Sequence, residues 1–209
     1  MGYDRLDTSL KEAHKRVLGL QLPTDPRWVD VASMHLEEIL TDHAYCEQKA
    51  TTSCISLIQK YPNRKELVQA LSPVVAEEWA HFQLVVAKLN EFGFELGHQR
   101  KDTYVNALMQ FVRKGISPDE LLLDRLLVCA MIEARSCERF RLLSLHIADD
   151  DLKAFYRKFM IAEAGHYKLF IDLASLYLGK QRTEERWTEC LQFEKEILKT
   201  IKPRADRMH

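Results

Sequence analysis

Twice along this chain a glutamate is followed, about thirty residues later, by a second glutamate with a histidine three places beyond it. The first copy is Glu47, Glu78 and His81, and the second is Glu133, Glu163 and His166; the separations are 78 − 47 = 31 and 163 − 133 = 30. Residues three apart lie on the same helical face, so each Glu-x-x-His pair can aim both side chains at one point. The sequence stays parallel beyond each histidine, His81-Phe82-Gln83-Leu84 against His166-Tyr167-Lys168-Leu169, which reads as an internal duplication folding into a pseudo-twofold arrangement.

All four glutamates fall on apolar stripes of helical period. The first stripe runs Ala32, Leu36, Leu40, His43, Glu47, Ala50, Cys54 and Ile58 and stops at Tyr61-Pro62-Asn63, predicting one helix of about 33 residues. After a short approach from Arg64, Ser72-Pro73 reads as the N-cap and first-turn proline of a second helix with inner positions Val74, Glu78, His81, Val85, Leu89 and Phe92, ended by Gly93. Ser117-Pro118-Asp119-Glu120 opens a third, with Glu120 at the capping-box position and a stripe of Leu122, Leu126, Cys129, Glu133, Cys137, Phe140 and Ser144. Asp149 to Asp151 open a fourth, carrying Leu152, Tyr156, Phe159, Glu163, His166, Phe170 and Leu173 and ending at Gly179.

The connection from Gly93 to Ser117, with a short helix expected over Asp102 to Arg113, is long enough to cross a bundle once. The expected fold is therefore all-α: a ferritin-like four-helix bundle with one crossover connection and flanking helices near residues 4–18 and 183–200, the tail after Pro203 being mobile. Length fits a single domain over residues 1–209, with the core bundle at about 27–179.

A carboxylate on a buried stripe must be paired or bound to a cation. Four glutamates and two histidines so placed are the ligand set of a bridged two-iron centre, and the mixture of carboxylate and imidazole suits iron or manganese better than zinc or calcium. The metal and catalytic residues expected are Glu47, Glu78, His81, Glu133, Glu163 and His166. His43, one turn before Glu47, is a candidate partner of that ligand. Glu138 sits off the inward stripe and reads as an ion-pair partner of Arg135 or Arg141; Glu77 has no histidine at the required spacing. Such a centre can activate dioxygen, which leaves hydroxylase, radical generator, peroxidase and iron store open.

Five cysteines with no Cys-x-x-Cys pair argue against a disulfide framework, a zinc ribbon and a rubrerythrin-type site. Radical-generating reductase subunits are normally much longer, so hydroxylation or iron handling remain. A net charge of −1, from 30 basic and 31 acidic residues, gives no basic footprint of the kind nucleic-acid binding leaves. Candidate phosphate contacts are Lys195, Lys199, Lys202, Arg204 and Arg207, or Arg157 and Lys158, although either group taken alone reads first as a solvated charged face. No window reaches the roughly 20 apolar residues that span a bilayer, and Met1 to Arg16 alternates charges where a signal peptide would be apolar, so the protein is expected in the cytoplasm, away from membranes.

Ile132-Glu133-Ala134-Arg135-Ser136-Cys137-Glu138-Arg139-Phe140 and Ala162-Glu163-Ala164-Gly165-His166-Tyr167 resemble the tRNA 2-methylthio-N6-isopentenyladenosine hydroxylase family, as do Asp42-His43-Ala44-Tyr45-Cys46-Glu47-Gln48-Lys49 and Glu77-Glu78-Trp79-Ala80-His81. The likeness extends over most of the chain, and the stretch around Glu133 is its most discriminating part. The resemblance implies a tRNA-modifying monooxygenase that hydroxylates the isopentenyl group of a hypermodified adenosine beside the anticodon. It would use two iron ions, dioxygen as co-substrate and electrons from a separate donor protein. Its partners would be the tRNA anticodon stem-loop and that donor, and the chain a monomer or dimer. The alternatives are a two-iron hydroxylase of a small or quinone-like substrate and a non-enzymatic iron-storage relative of ferritin.

Overall fold

Tyr61-Pro62-Asn63-Arg64 turns the chain tightly, with the Arg64 amide donating to the Tyr61 carbonyl at 3.0 Å, and so sets two long helices against each other. The structure, a computed structural model, describes residues 18–200. The helix expected near residues 4–18 and the tail beyond Pro203 lie outside them. The chain divides into two compact units, one spanning Arg27–Asp102 and the other formed by Thr103 onward with the segment before Arg27. Among the described residues every regular element is helical, as the stripes require.

The first unit holds α1 (Trp28–Ser33), α2 (Leu36–Lys60) and α3 (Lys65–Glu91). The single helix expected over the first stripe is two, interrupted at Met34 and His35. There the Ser33 hydroxyl donates to the Val29 carbonyl at 2.7 Å, and His35 leaves the helical region at φ −128°.

Ser72-Pro73 does not begin a helix; α3 starts eight residues before Pro73, at Lys65, and runs through it. Proline removes the amide that would meet the Gln69 carbonyl. Gln69, Ser72 and Pro73 are all exposed, so water can serve that carbonyl, while the Ser72 hydroxyl donates to the Val68 carbonyl at 2.6 Å. The inner face of α3 is Leu67, Leu71, Val74, Glu78, Val85 and Leu89, close to expectation, but Phe92 is exposed.

The second unit holds α4 (Thr103–Leu108), a 3-10 turn at Met109–Phe111, α5 (Pro118–His146), α6 (Asp150–Leu178) and α7 (Lys180–Thr200). The Ser117 hydroxyl accepts from the Glu120 amide at 3.3 Å, and the Asp149 carboxylate accepts from the Leu152 amide at 2.8 Å, so both expected caps form. The Glu120 side chain, however, turns to Arg113 and Arg182 and does not complete the capping box. Gly179, at φ +82°, ends α6 where a side chain would be strained.

Helix α5 lacks a single inward stripe: Ala130, Met131, Glu133, Ala134, Arg135, Ser136, Cys137 and Glu138 are all buried, so its middle is enclosed on every side. Helix α6 and α7 both pack on it. The α7 face of Thr183, Arg186, Cys190, Glu194 and Ile197 is buried too, which makes this helix part of the unit's interior.

Candidate metal centre

In the first unit the α2–α3 hairpin brings one duplicated set together. Glu47 and Glu78 are 3% and 0% exposed, and His81 Nδ1 lies 3.4 Å from Glu47 Oε2 and 3.4 Å from Glu78 Oε2. Ligand atoms of Glu47, Glu78 and His81 all fall within 4.8 Å of one another. Leu40 and Ala44 precede Glu47 on α2, and Val74 and Val85 flank Glu78 on α3, and all four are buried.

The second unit repeats the arrangement from α5 and α6. Glu133, Glu163 and His166 are buried, their ligand atoms likewise fall within 4.8 Å of one another, and His166 Nδ1 stands 3.6 Å from Glu163 Oε2. The same imidazole nitrogen faces carboxylate in both sets. Each unit thus collects the three residues that its half of the sequence pattern names.

Electrostatics explain why such a cluster calls for a cation. Burial pushes the Glu47 carboxyl well above the usual carboxylate range, a hydrogen bond from His81 opposes that rise, and the neighbouring Glu78 charge adds to it. Burial alone would lower His81, yet the carboxylates of Glu47 and Glu78 raise it to about 9. Removing carboxylates from water is costly unless an opposite charge meets them. A divalent cation supplies that charge, and a donor set of two carboxylates and one imidazole in each unit fits iron.

His43 is fully buried with Nε2 2.8 Å from Glu47 Oε1, so the residue one turn upstream does engage the ligand. Burial, reinforced by the proximity of His81, lowers it to about 3 and keeps it a neutral imidazole. That close approach sets the imidazole against the Glu47 carboxylate and restricts the carboxylate's rotation. Glu77, half exposed and 4.0 Å from His81 Nε2, stays at the edge.

Cys137 follows Glu133 by one turn, but its thiol donates to the Met160 carbonyl at 3.4 Å. Burial, then the charges of Glu163 and Glu133, push it up to about 12, so it remains an inert thiol. The five cysteines are all free, as expected, and three of them are buried.

Sequence reasoning missed the ionic framework behind Glu133. Glu138 does pair with Arg135, but both are only 1% exposed. Arg135 also donates to the Leu22 carbonyl at 3.0 Å and to Glu194 Oε1 through Nε at 3.0 Å, and Tyr104 reaches the same Glu194 oxygen at 3.2 Å. Glu138 in turn accepts from the Thr24 amide and hydroxyl at 2.9 and 2.8 Å. A second network joins Asp124 to Arg113 and Arg186, with the Arg186 guanidinium 3.7 Å above the Phe111 ring. The available signal was the spacing of Arg186, Cys190, Glu194 and Ile197, which sets charges on an otherwise burial-like stripe.

Residues 11–209 match the profile of the family described as tRNA-(MS[2]IO[6]A)-hydroxylase (MiaE). Two curated relatives carry the name tRNA 2-(methylsulfanyl)-N(6)-isopentenyladenosine(37) hydroxylase. The one from Pseudomonas putida is 37% identical over 158 residues, covering 76% of each chain. That from Salmonella typhimurium is 25% identical, covering 82% of this chain and 81% of its own. A solved structure titled protein 43 with aldehyde deformylating oxygenase activity, from Synechococcus, superposes with a TM-score of 0.85 at 34% identity over 91% of this chain and 94% of its own. The fold is all-α and ferritin-like, and the chain belongs to the tRNA-(MS[2]IO[6]A)-hydroxylase (MiaE) family.

Proposed function

We infer that the two triads hold one pair of iron ions and that the protein is an oxygen-dependent hydroxylase of the isopentenyl group on a hypermodified adenosine beside the tRNA anticodon. The observation that carries this reading is the repeated triad, the same residue types from the same helix-pair geometry with the same Nδ1 facing carboxylate, in a chain of this family. Glu47, Glu78 and His81 would hold the metal on one side and Glu133, Glu163 and His166 on the other, within a single domain. Bound iron would supply the two-electron activation of dioxygen that inserts one oxygen atom into a C–H bond.

The chain's own residues bind and orient. His43 packs its Nε2 against Glu47 Oε1, and the Arg135–Glu138–Glu194 cluster holds the turn of α5 that carries Glu133. Leu40, Ala44, Val74 and Val85 around the first triad, and Ala130, Ala134 and Phe159 around the second, keep water away from the ligands. No helix among the described residues is long and apolar enough to cross a membrane. A cytoplasmic site of action, a separate electron-donor protein and a monomeric or dimeric state complete the proposal.

The direct test incubates reduced, iron-loaded protein and dioxygen with an anticodon stem-loop carrying 2-methylthio-N6-isopentenyladenosine, followed by mass spectrometry of its nucleosides. A gain of one oxygen on the isopentenyl group is expected. The Synechococcus likeness favours a second reading, a small aldehyde as substrate. Release of a one-carbon product from such an aldehyde, with an untouched stem-loop, would establish that reading instead.

A further inference from the structure

Between α3 and α4 the chain runs without regular structure from Phe94 to Asp102, laid along α2 as a strap. Three residues of α2 at four-residue intervals tie it down. The Thr41 hydroxyl accepts from the Gly97 amide at 3.5 Å, the Tyr45 hydroxyl donates to the Gly97 carbonyl at 2.9 Å, and Lys49 pairs with Asp102. A Cβ on Gly97 would stand 3.5 Å from the Thr41 methyl, so the strap lies directly on the helix. Thr41, Tyr45 and Lys49 span about 12 Å of helix, the same turns that present His43 and Glu47.

What the strap carries outward is aromatic and basic. Phe92 and Phe94 stack with ring centroids 5.9 Å apart and planes 16° from parallel, and Phe92 remains 38% exposed. Leu96, His98, Arg100 and Lys101 follow, all exposed. The acidic residues here are Glu91, paired with Lys88, Asp102, paired with Lys49, and Glu95. A solvated loop has no need of three ties to a helix or of an exposed ring stacked on a half-buried one. Rings with neighbouring guanidinium and ammonium groups are the chemistry that binds unpaired nucleotides, stacking bases and meeting phosphates.

We propose that the strap from Phe92 to Lys101 is a surface for single-stranded RNA, with Phe92 and Phe94 stacking on bases and Arg100 and Lys101 meeting phosphates. It rests on the tRNA reading above and gives it a binding surface at the level of Glu47 along α2. The aromatic pair favours RNA over an acidic protein, for which cations alone would serve.

The test measures fluorescence anisotropy of a labelled anticodon stem-loop over a salt series. Arg100→Ala with Lys101→Ala should weaken binding by about tenfold or more near about 0.1 M salt and lower the logarithmic salt slope by about 2. Phe94→Leu should weaken it by at least about fivefold with the slope unchanged. Removing two lysines elsewhere, Lys153→Ala with Lys180→Ala, should change it by less than about twofold. Circular dichroism and melting curves of the strap variants should match the parent, and Arg100→Gln with Lys101→Gln repeats the measurement if the alanine pair misfolds. Parent-like binding by the strap pair, or an equal loss in the lysine control, overturns the strap alone. A parent with no salt-dependent affinity for the stem-loop overturns both the strap and the tRNA reading.

Discussion

His43 and Glu47 show how much single residues can reveal. Glu-x-x-His spacing, doubled and placed on apolar stripes, was enough to name all three members of each triad, because a helix fixes which residues share a face. The metal prediction follows: about two irons per chain are expected in the parent, and His81→Ala with His166→Ala should remove most of them by elemental analysis. Undiminished iron in that variant would place the centre elsewhere. His43 was legible as a candidate partner of Glu47; the 2.8 Å approach of its Nε2 to Glu47 Oε1 belongs to the three-dimensional packing. Because it orients a ligand without being one, His43→Ala should weaken ferrous binding about 10- to 100-fold, while His43→Gln, which keeps a polar group there, should recover part of the loss. Equal affinities for all three proteins in an anaerobic titration would rule out this positioning role.

At the scale of elements, the stripes gave helix positions well and boundaries less well. Pro73 reads as a start signal, yet its exposed setting lets α3 run through it, and the first stripe divides at Met34 and His35 without any proline or glycine to announce a break. Buried charge was the larger omission, since Arg135, Glu138 and Glu194 look like ordinary surface residues until their partners are known. Arg135→Ala would strand two buried carboxylates, and a loss of about 3–5 kcal/mol is expected from urea unfolding; a loss under about 1 kcal/mol would mean that water already serves them. Glu120 offers a pH test of the tie between α5 and α7. The guanidinium of Arg182, helped by that of Arg113 against partial burial, lowers its pKa from 4.5 to about 2. A carboxylate lowered on folding contributes stability above its unfolded pKa and loses it as pH falls through the folded value. Glu120→Gln should therefore cost about 1 kcal/mol at neutral pH, and its melting temperature should converge on the parent's between pH 4.5 and about 2. A gap that stays constant across that window would assign the cost to packing.

For the whole molecule, the all-helical class was legible because every long stripe keeps one period and most breakers fall between stripes. The division into two units was not, since nothing in composition changes near Asp102. Buried glutamates that repel one another make the iron-free protein the weaker form. Iron should raise the melting temperature at neutral pH, with a gain of about 2.7 kcal/mol when free metal exceeds its dissociation constant a hundredfold. Coincident melting curves with iron and with a chelator would contradict that.

Arg135 joins Leu22, Glu138 on its own helix, and Glu194, which lies near the far end of α7. Asp124 likewise depends on Arg186 of α7. On the ribosome, where a chain emerges from its N-terminus, α5 would therefore wait with unmatched ions through the making of α6 and most of α7. The residues around Glu133 can reach their final setting only after Glu194 has been made, so the synthesis of α7 decides when this triad is ready.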